Sequence, residues 1–504
     1  MTAYTRSSDR AGNEKWFEVS EVWTKTADGW VKCKAGYHSD GKAWKQWWPH
    51  GDGPDPGPDP YGWQVSTIIG SDAPNRLPGM VPKDSNASTP DVPWQDSRIN
   101  ASVACVAWSP GSSYVYAVVK AASVGNGVVM VRDIASGRVA NYAGNYNSNL
   151  MSGNRYLDIY TGQNIHRQTE GVCLTSPTGI AVDPATNAIY ISVAGGVLMV
   201  AGDKHGSATI PQVVGENGSH VVRNVPIKQG FVYHVAGATG MLSYDPNTKK
   251  YGVGNPNYGY RNAQGMDALF ETVTAIAFDP VDKVLYATDN QGVAGYTNAI
   301  RAISIDPLTW GAVTTLSGPN EGTAQADRQR SKDDPVAENA RFLSPRAMTV
   351  WRNWLLVVDG ETNSGGGLRG VRIKAGDDGL GSGSIGEAIT FFSGNVGKVV
   401  PDKAAVPFGT LRGYGLSAVA TDKADRYVYA VWGNVVLTIL DMEAKTTLNP
   451  VLGAVNRPFA YVNGPLASAR FADGAPLGLA VRPSNGAIVL TDQANYSVRM
   501  IAPS

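Results

Sequence analysis

Gly179-Ile-Ala-Val-Asp-Pro-Ala-Thr-Asn-Ala-Ile-Tyr-Ile-Ser192 returns twice in this chain. It recurs as Ala275-Ile-Ala-Phe-Asp-Pro-Val-Asp-Lys-Val-Leu-Tyr-Ala-Thr-Asp289 and as Leu477-Gly-Leu-Ala-Val-Arg-Pro-Ser-Asn-Gly-Ala-Ile-Val-Leu-Thr-Asp492. Each copy is a short apolar strand, a turn of Pro, Asn or Asp, and a second strand ending in a polar residue. Asp before Pro initiates a turn, so Asp183 and Asp279 read as turn residues rather than ligands. Asp289, Asp359 and Asp492 end second strands and are expected to hydrogen-bond neighbouring loop backbone. Strand–turn–strand units spaced by tens of residues signify a repeat architecture, in which each unit buries its faces on its neighbours.

Working outward, seven candidate units can be counted. Val103 to Gly144 reads as four strands, and Gly179 to Gly215 as a second unit. Further units span Val273 to Gly318, Arg346 to Gly394 and Leu416 to Gly453. The stretch from His220 to Asp245 is strand-like but lacks the opening phrase, so it is either a unit or an elaborate insertion. The last unit has three strands, Leu477–Val481, Ala487–Thr491 and Ser497–Ile501, and needs a fourth. Trp63-Gln-Val-Ser-Thr-Ile-Ile-Gly70 matches the final strands Arg138–Gly144, Val313–Gly318 and Ala388–Gly394. An N-terminal strand completing the C-terminal unit would remove exposed edges. The expected fold is all-β: a seven-bladed β-propeller, six-bladed if the doubtful stretch is an insertion, closed by that strand.

The first residues follow different logic. Seven of the thirteen tryptophans fall at Trp16, Trp23, Trp30, Trp44, Trp47, Trp48 and Trp63. Asp28-Gly29 and Asp40-Gly41 sit between aromatic and β-branched residues as hairpin turns. Pro49-His-Gly-Asp-Gly-Pro-Asp-Pro-Gly-Pro-Asp-Pro-Tyr61 is a semi-rigid spacer. The expected domains are a Trp-rich β-hairpin docking module (1–48), a Pro/Gly/Asp linker (49–62) and the propeller (63–504). A module below ~70 residues rarely holds an adequate core alone, so docking onto a partner is expected.

Composition bounds the function. The 43 basic and 43 acidic residues cancel, giving no electrostatic reason for a nucleic-acid partner. No run approaches the ~18 apolar residues of a membrane span. The polar start, Met-Thr-Ala-Tyr-Thr-Arg, lacks the apolar stretch of a signal peptide. Cys33, Cys105 and Cys173 form neither a disulfide framework nor a zinc site. The six histidines show no metal-ligand spacing, and no nucleophile elbow or phosphate-binding loop occurs.

Propeller enzymes place reactive groups where innermost strands begin. The residues there are Asn100 and Ser102, Thr178, Glu271 and Thr272, Arg346, Tyr414, and Pro476. One carboxylate and one Asn do not make the oxygen cage a hard cation requires, so no cofactor or metal is expected. The long connections rich in Asn, Tyr and Arg suit recognition of glycans or proteins by stacking and hydrogen bonding. Tyr146, Asn154, Arg155, Tyr156, Tyr258, Tyr260 and Arg261 are the candidate recognition residues.

Two resemblances add to this reading. Gly464-Pro-Leu-Ala-Ser-Ala-Arg-Phe471 with Leu477–Val481, Leu490–Asn495 and Val498–Ile501 resembles an NHL-repeat blade, echoed at Asn339–Met348. Asp28-Gly-Trp-Val-Lys-Cys33 and Gly41-Lys-Ala-Trp-Lys-Gln-Trp-Trp-Pro49 resemble terminal segments of minor tail proteins of actinobacterial tailed phages. That second resemblance implies a structural virion tail protein, assembled in the host cytoplasm, with Trp16, Trp23, Trp30, Trp44, Trp47 and Trp48 docking it. The implied partners are other phage tail proteins and a host-surface glycan or protein, in a homo-trimer or higher symmetric assembly. Two other functions compete: a propeller enzyme, lactonase-like or a polysaccharide lyase, and a cellular NHL-type scaffold.

Overall fold

The computed structural model describes the strands of residues 3–49 and most of 63–503. The larger stretches outside the description are 50–62, 71–90, 121–125, 145–173, 253–258, 291–297, 324–336, 361–366, 393–406, 409–414, 453–460 and 472–477. Two compact units are present, Met1–Asp59 and Pro60–Ser504. The first contains three antiparallel hairpins: Ala3–Ser8 with Glu14–Val19, Trp23–Thr26 with Gly29–Lys32, and Ala35–Ser39 with Trp44–Pro49. Thr26 pairs with Gly29, so Gly29 belongs to a strand rather than to the turn expected at Asp28-Gly29.

The second unit is a β-propeller of six blades, each with four antiparallel strands running outward from the centre. Blade one comprises Ser102–Trp108, Tyr114–Lys120, Asn126–Asp133 and Arg138–Gly144. Blade two comprises Ile180–Val182, Ile189–Val193, Gly195–Val200 and Val232–Ala238. Blades three, four and five run Ile276–Ser317, Pro345–Phe392 and Leu416–Leu452. Blade six joins Leu479–Val481, Ile488–Asp492 and Ser497–Pro503 to Trp63–Ile69.

The count of seven is therefore corrected to six. Thr209–Glu216 and Ser219–Pro226 form a hairpin of their own, inserted between the third and fourth strands of blade two. Val232–Ala238, read from the sequence as part of an additional blade, is blade two's outermost strand. The insertion ties to it through one side chain. Gln212 accepts from the His234 backbone N–H at 2.9 Å and donates to the His234 carbonyl at 2.8 Å, so an amide side chain serves both backbone groups on the strand's outer edge.

Ring closure occurs at the expected place. Trp63–Ile69 pairs with Ser497–Pro503, Val65 opposite Ile501 and Thr67 opposite Arg499. Its side chains serve two neighbours. Trp63 and Val65 pack with Tyr427 and Ile439 of blade five, whereas Ile68 and Ile69 pack with Val103 and Val115 of blade one. Burying each such aliphatic side chain is worth roughly 1.5–3 kcal/mol. The pairing of third and fourth strands slips by a residue in every blade, as at Val129/Met130, Ile300/Arg301 and Val498/Arg499. Such bulges increase local twist. They also explain the glycine that follows many outer strands. Gly70 and Gly144 have φ of +92° and +89°, and a Cβ on Gly70 would lie 2.7 Å from the Tyr496 carbonyl.

A buried ion pair recurs in three blades. Asp289 meets Arg301 at 2.5 Å, Asp359 meets Arg369 at 3.0 Å, and Asp492 meets Arg499 at 2.8 Å, with all six side chains essentially inaccessible to solvent. Each guanidinium lies over the phenylalanine of an Ala-x-Phe sequence: Phe270 at 5.0 Å, Phe342 at 4.4 Å and Phe471 at 5.0 Å. Asp289 accepts from the Glu271 N–H, and Asp359 from the N–H groups of Leu343 and Ser344. These aspartates do bond neighbouring loop backbone as the sequence suggested, but their larger role is to clamp the segment entering each blade.

Two outcomes follow for thermal unfolding. Deleting residues 1–59 is expected to leave a cooperative transition, whereas deleting 1–70 also removes the closing strand and should lower Tm by about 10 °C or more. Arg369→Leu leaves Asp359 buried without its countercharge and is expected to cost about 3–5 kcal/mol in denaturant unfolding.

Candidate functional site

A hydroxyl residue at the end of each second strand, Ser192, Thr288 or Thr491, turns back on its own blade. Ser192 Oγ accepts from the Gly179 N–H at 2.7 Å, Thr288 Oγ1 from Ala275 at 2.9 Å, and Thr491 Oγ1 from Gly478 at 3.2 Å. A hydroxyl is needed because each innermost strand begins with a backbone N–H otherwise left unbonded at the channel wall. These strand starts surround a cavity of about 500 Å³ at the ring's centre, bordered by all six blades.

Four of its polar side chains, Thr178, Thr274, Arg346 and Gln493, are engaged across blade boundaries. Thr178 Oγ1 donates to the Val273 carbonyl at 2.7 Å, joining blade two to three. Thr274 Oγ1 and Asn290 Nδ2 donate to the Pro345 carbonyl at 3.1 and 2.6 Å, joining three to four. Arg346 Nη2 donates to the Leu416 carbonyl at 2.9 Å, joining four to five, and Gln493 Nε2 reaches the Val103 carbonyl at 3.5 Å, joining six to one. The remaining wall is small and apolar, including Ala104, Val106, Ile180, Ile276, Met348 and Leu479.

Lys120 and Arg346 make the lining electropositive, and no carboxylate or histidine is among the described residues that border it. Cys105 also lines the cavity, but burial pushes its thiol up, away from the thiolate that nucleophilic chemistry needs. Among the described residues no group of three or more His, Cys, Asp or Glu side chains could hold a metal ion. The donor set of a calcium-dependent propeller enzyme does not fit here, since a hard cation needs several converging oxygens and two cations repel it.

The residues selected from sequence separate into three groups. Ser102, Thr178 and Arg346 line the channel as expected. Glu271 is buried beside the Asp289–Arg301 clamp, and Thr272 bonds the Glu271 carbonyl. Asn100, Tyr414 and Pro476 lie outside the described residues.

Tyr260 and Arg261, candidate recognition residues, make contacts within the propeller. Tyr260 is 9% exposed, its ring 4.4 Å from the Arg301 guanidinium, and its hydroxyl bonds Thr315 at 2.7 Å. Arg261 Nε donates to the Asp267 carbonyl at 2.6 Å. Tyr461 takes the equivalent position over Arg499, with its hydroxyl on Thr67 of the closing strand. Asn262 and Asn463 both accept from the arginine, at 2.9 and 2.8 Å. The signal that would have exposed this is Tyr-x-Asn preceding Ala-x-Phe in both places, Tyr260 to Phe270 and Tyr461 to Phe471.

Tyr146, Asn154, Arg155, Tyr156 and Tyr258 lie outside the described residues. Trp16, Trp23, Trp30, Trp44, Trp47 and Trp48 fall on the strands of the N-terminal hairpins, and their side chains are outside the described residues.

No protein-family profile and no curated protein sequence matches the chain. Solved structures of similar fold include a protein of unknown function from Bacteroides thetaiotaomicron, at 13% identity and TM-score 0.45, covering 87% of this chain and 76% of that one. An auxiliary nutrient binding protein from the same organism gives 12% identity and TM-score 0.46, with the same coverages. A gluconolactonase from Xanthomonas campestris gives 9% identity and TM-score 0.39, covering 81% of this chain and 87% of that one. These are likenesses of fold alone.

Because the channel wall is knitted by protein–protein hydrogen bonds and its described residues offer no cation cage, neither millimolar calcium nor a chelator is expected to move Tm. Differential scanning fluorimetry checks this, and a shift of several degrees with calcium would contradict it.

Proposed function

We propose that this chain is a non-enzymatic attachment protein of a virus particle, a minor tail protein of a tailed bacteriophage. The hairpin unit joins it to other tail proteins, and the propeller contacts a host-surface glycan or protein. The observation that carries this reading is the division of labour along the chain. A small hairpin unit with Asp28–Cys33 and Gly41–Pro49 segments like those of phage tail proteins precedes a Pro/Gly/Asp spacer. The closing strand begins directly after that spacer, so the propeller completes itself without the hairpins.

The channel chemistry favours the non-enzymatic version. Groups already bonded across blades lack the freedom and the pKa range of a general acid or base. A rigid ring with a stitched centre suits a scaffold that displays surfaces. Symmetric tail assembly would place copies in multiples of three.

Quantitative mass spectrometry of purified particles from the source lysate tests the proposal. A fixed copy number, a multiple of three, is expected, together with loss from particles when residues 1–59 are deleted. Absence of the chain from intact particles would overturn the reading.

A further inference from the structure

A second cavity, of about 540 Å³, opens between blades one and two, at the ends of their strands opposite the channel lining residues Ser102, Lys120 and Thr178. Its size falls within the range of small-molecule sites. It is bordered by Tyr114, Tyr116, Tyr142, Asn187, Asp203 and Gln229, three aromatic rings and three side chains with carboxylate or amide groups. None of these serves the clamp or the inter-blade stitching described above.

The tyrosines come from two strands of blade one that flank Asn126–Asp133, Tyr114 and Tyr116 from the second and Tyr142 from the fourth. Tyr116 and Tyr142 stand 5.2 Å apart at 65°, two walls of a corner. Tyr114, at the mouth of the cleft, is 43% exposed, unusual for a side chain of its size. Blade two supplies the polar groups. Asn187 is held in its hairpin turn with φ +60° and its N–H on the Asp183 carbonyl. Its Nδ2 donates to Asp203 Oδ1 at 2.6 Å, which leaves Asp203 Oδ2 without a hydrogen bond among the described residues. Gln229 is exposed on the same border and carries both a donor and an acceptor.

We infer that this cleft binds a neutral sugar ring. A pyranose has an apolar C–H face and a girdle of hydroxyls that both donate and accept. Tyrosine rings provide a flat apolar partner for the first, and a carboxylate, amides and phenols meet the second. Burial pushes the Tyr116 hydroxyl up to about 12, and Tyr142 is likewise raised, so both phenols keep their protons at neutral pH. The Asn187 hydrogen bond holds the Asp203 carboxyl below its usual range, so it accepts as an anion. No Lys or Arg is among the described residues that border the cleft, so an acidic sugar would meet the Asp203 carboxylate, whose charge Lys204 and His205 offset only from outside the lining.

The inference deepens the recognition role proposed above and rests on it for its biological setting. Binding by the purified protein decides it whether or not the chain enters a virion. The probe is a panel of immobilised oligosaccharides ending in glucose, galactose, mannose or N-acetylglucosamine, with glucuronic-acid and sialic-acid counterparts, followed by titration calorimetry of each positive. Binding to at least one neutral terminus is expected, with no binding to the acidic counterparts. Tyr114→Ala and Asp203→Ala, both at exposed positions, should each weaken binding about tenfold or more while leaving Tm unchanged. Val281→Ser, at an exposed position on blade three, should leave binding unchanged. Preference for acidic termini, equal affinity in Tyr114→Ala and Asp203→Ala, or no binding at millimolar sugar by the full chain would each overturn the inference.

Discussion

Closure of the ring is the constraint on which the rest of this structure depends. A four-stranded blade is apolar on both faces and stable only between two others, so an open array would expose a face at each end. Trp63–Ile69 removes that exposure by completing a blade whose other strands lie at the far end of the chain. The same seven residues carry side chains into the cores on both sides, through Val65 toward blade five and Ile69 toward blade one. Thr67 meets Tyr461 beside Arg499, as Thr315 meets Tyr260 beside Arg301 in blade three. The closing strand is thus a full member of its blade by pairing, packing and polar contacts alike.

Within the closed ring, the buried charges of the three clamps are paired. Each guanidinium of the three clamps stacks on an aromatic ring and bonds an aspartate, and two of those aspartates also hold backbone N–H groups of the segment entering their blades. A lone charge in that position would be strongly destabilising, so the members of a clamp depend on one another. Around the axis, hydroxyls and amides link successive innermost strands through carbonyls such as Val273 and Pro345. These contacts orient the blades about the axis.

Two cavities in one ring consequently differ in character. The central one is lined by apolar residues and hydroxyls together with Lys120 and Arg346, and several of its polar atoms bond the neighbouring blade. The one between blades one and two has aromatic faces and a carboxylate oxygen with hydrogen-bonding capacity to spare. Binding energy requires groups that gain partners when a ligand arrives, and the peripheral cleft holds such groups. An N-terminal hairpin unit separate from a self-sufficient propeller suits a protein that is anchored at one part and binds with another.

The sequence by itself determined the all-β class, the strand–turn–strand repeat, the closing strand and the turn role of Asp183 and Asp279. These are legible because period-two apolar patterns, Asp-Pro turns and terminal glycines are local signals. Only the tertiary structure decided that Val232–Ala238 belongs to blade two, because strand-forming residues look alike whether they pair with a near neighbour or across an inserted hairpin. It alone showed the contacts of Tyr260 and Arg261 within the propeller, since stacking on Arg301 and bonding Asp267 join residues whose composition suggested an exposed loop. The tyrosine cleft was equally hidden. Tyr114, Tyr142 and Asp203 come from different strands and blades, and what unites them is the packing of one twisted sheet against the next.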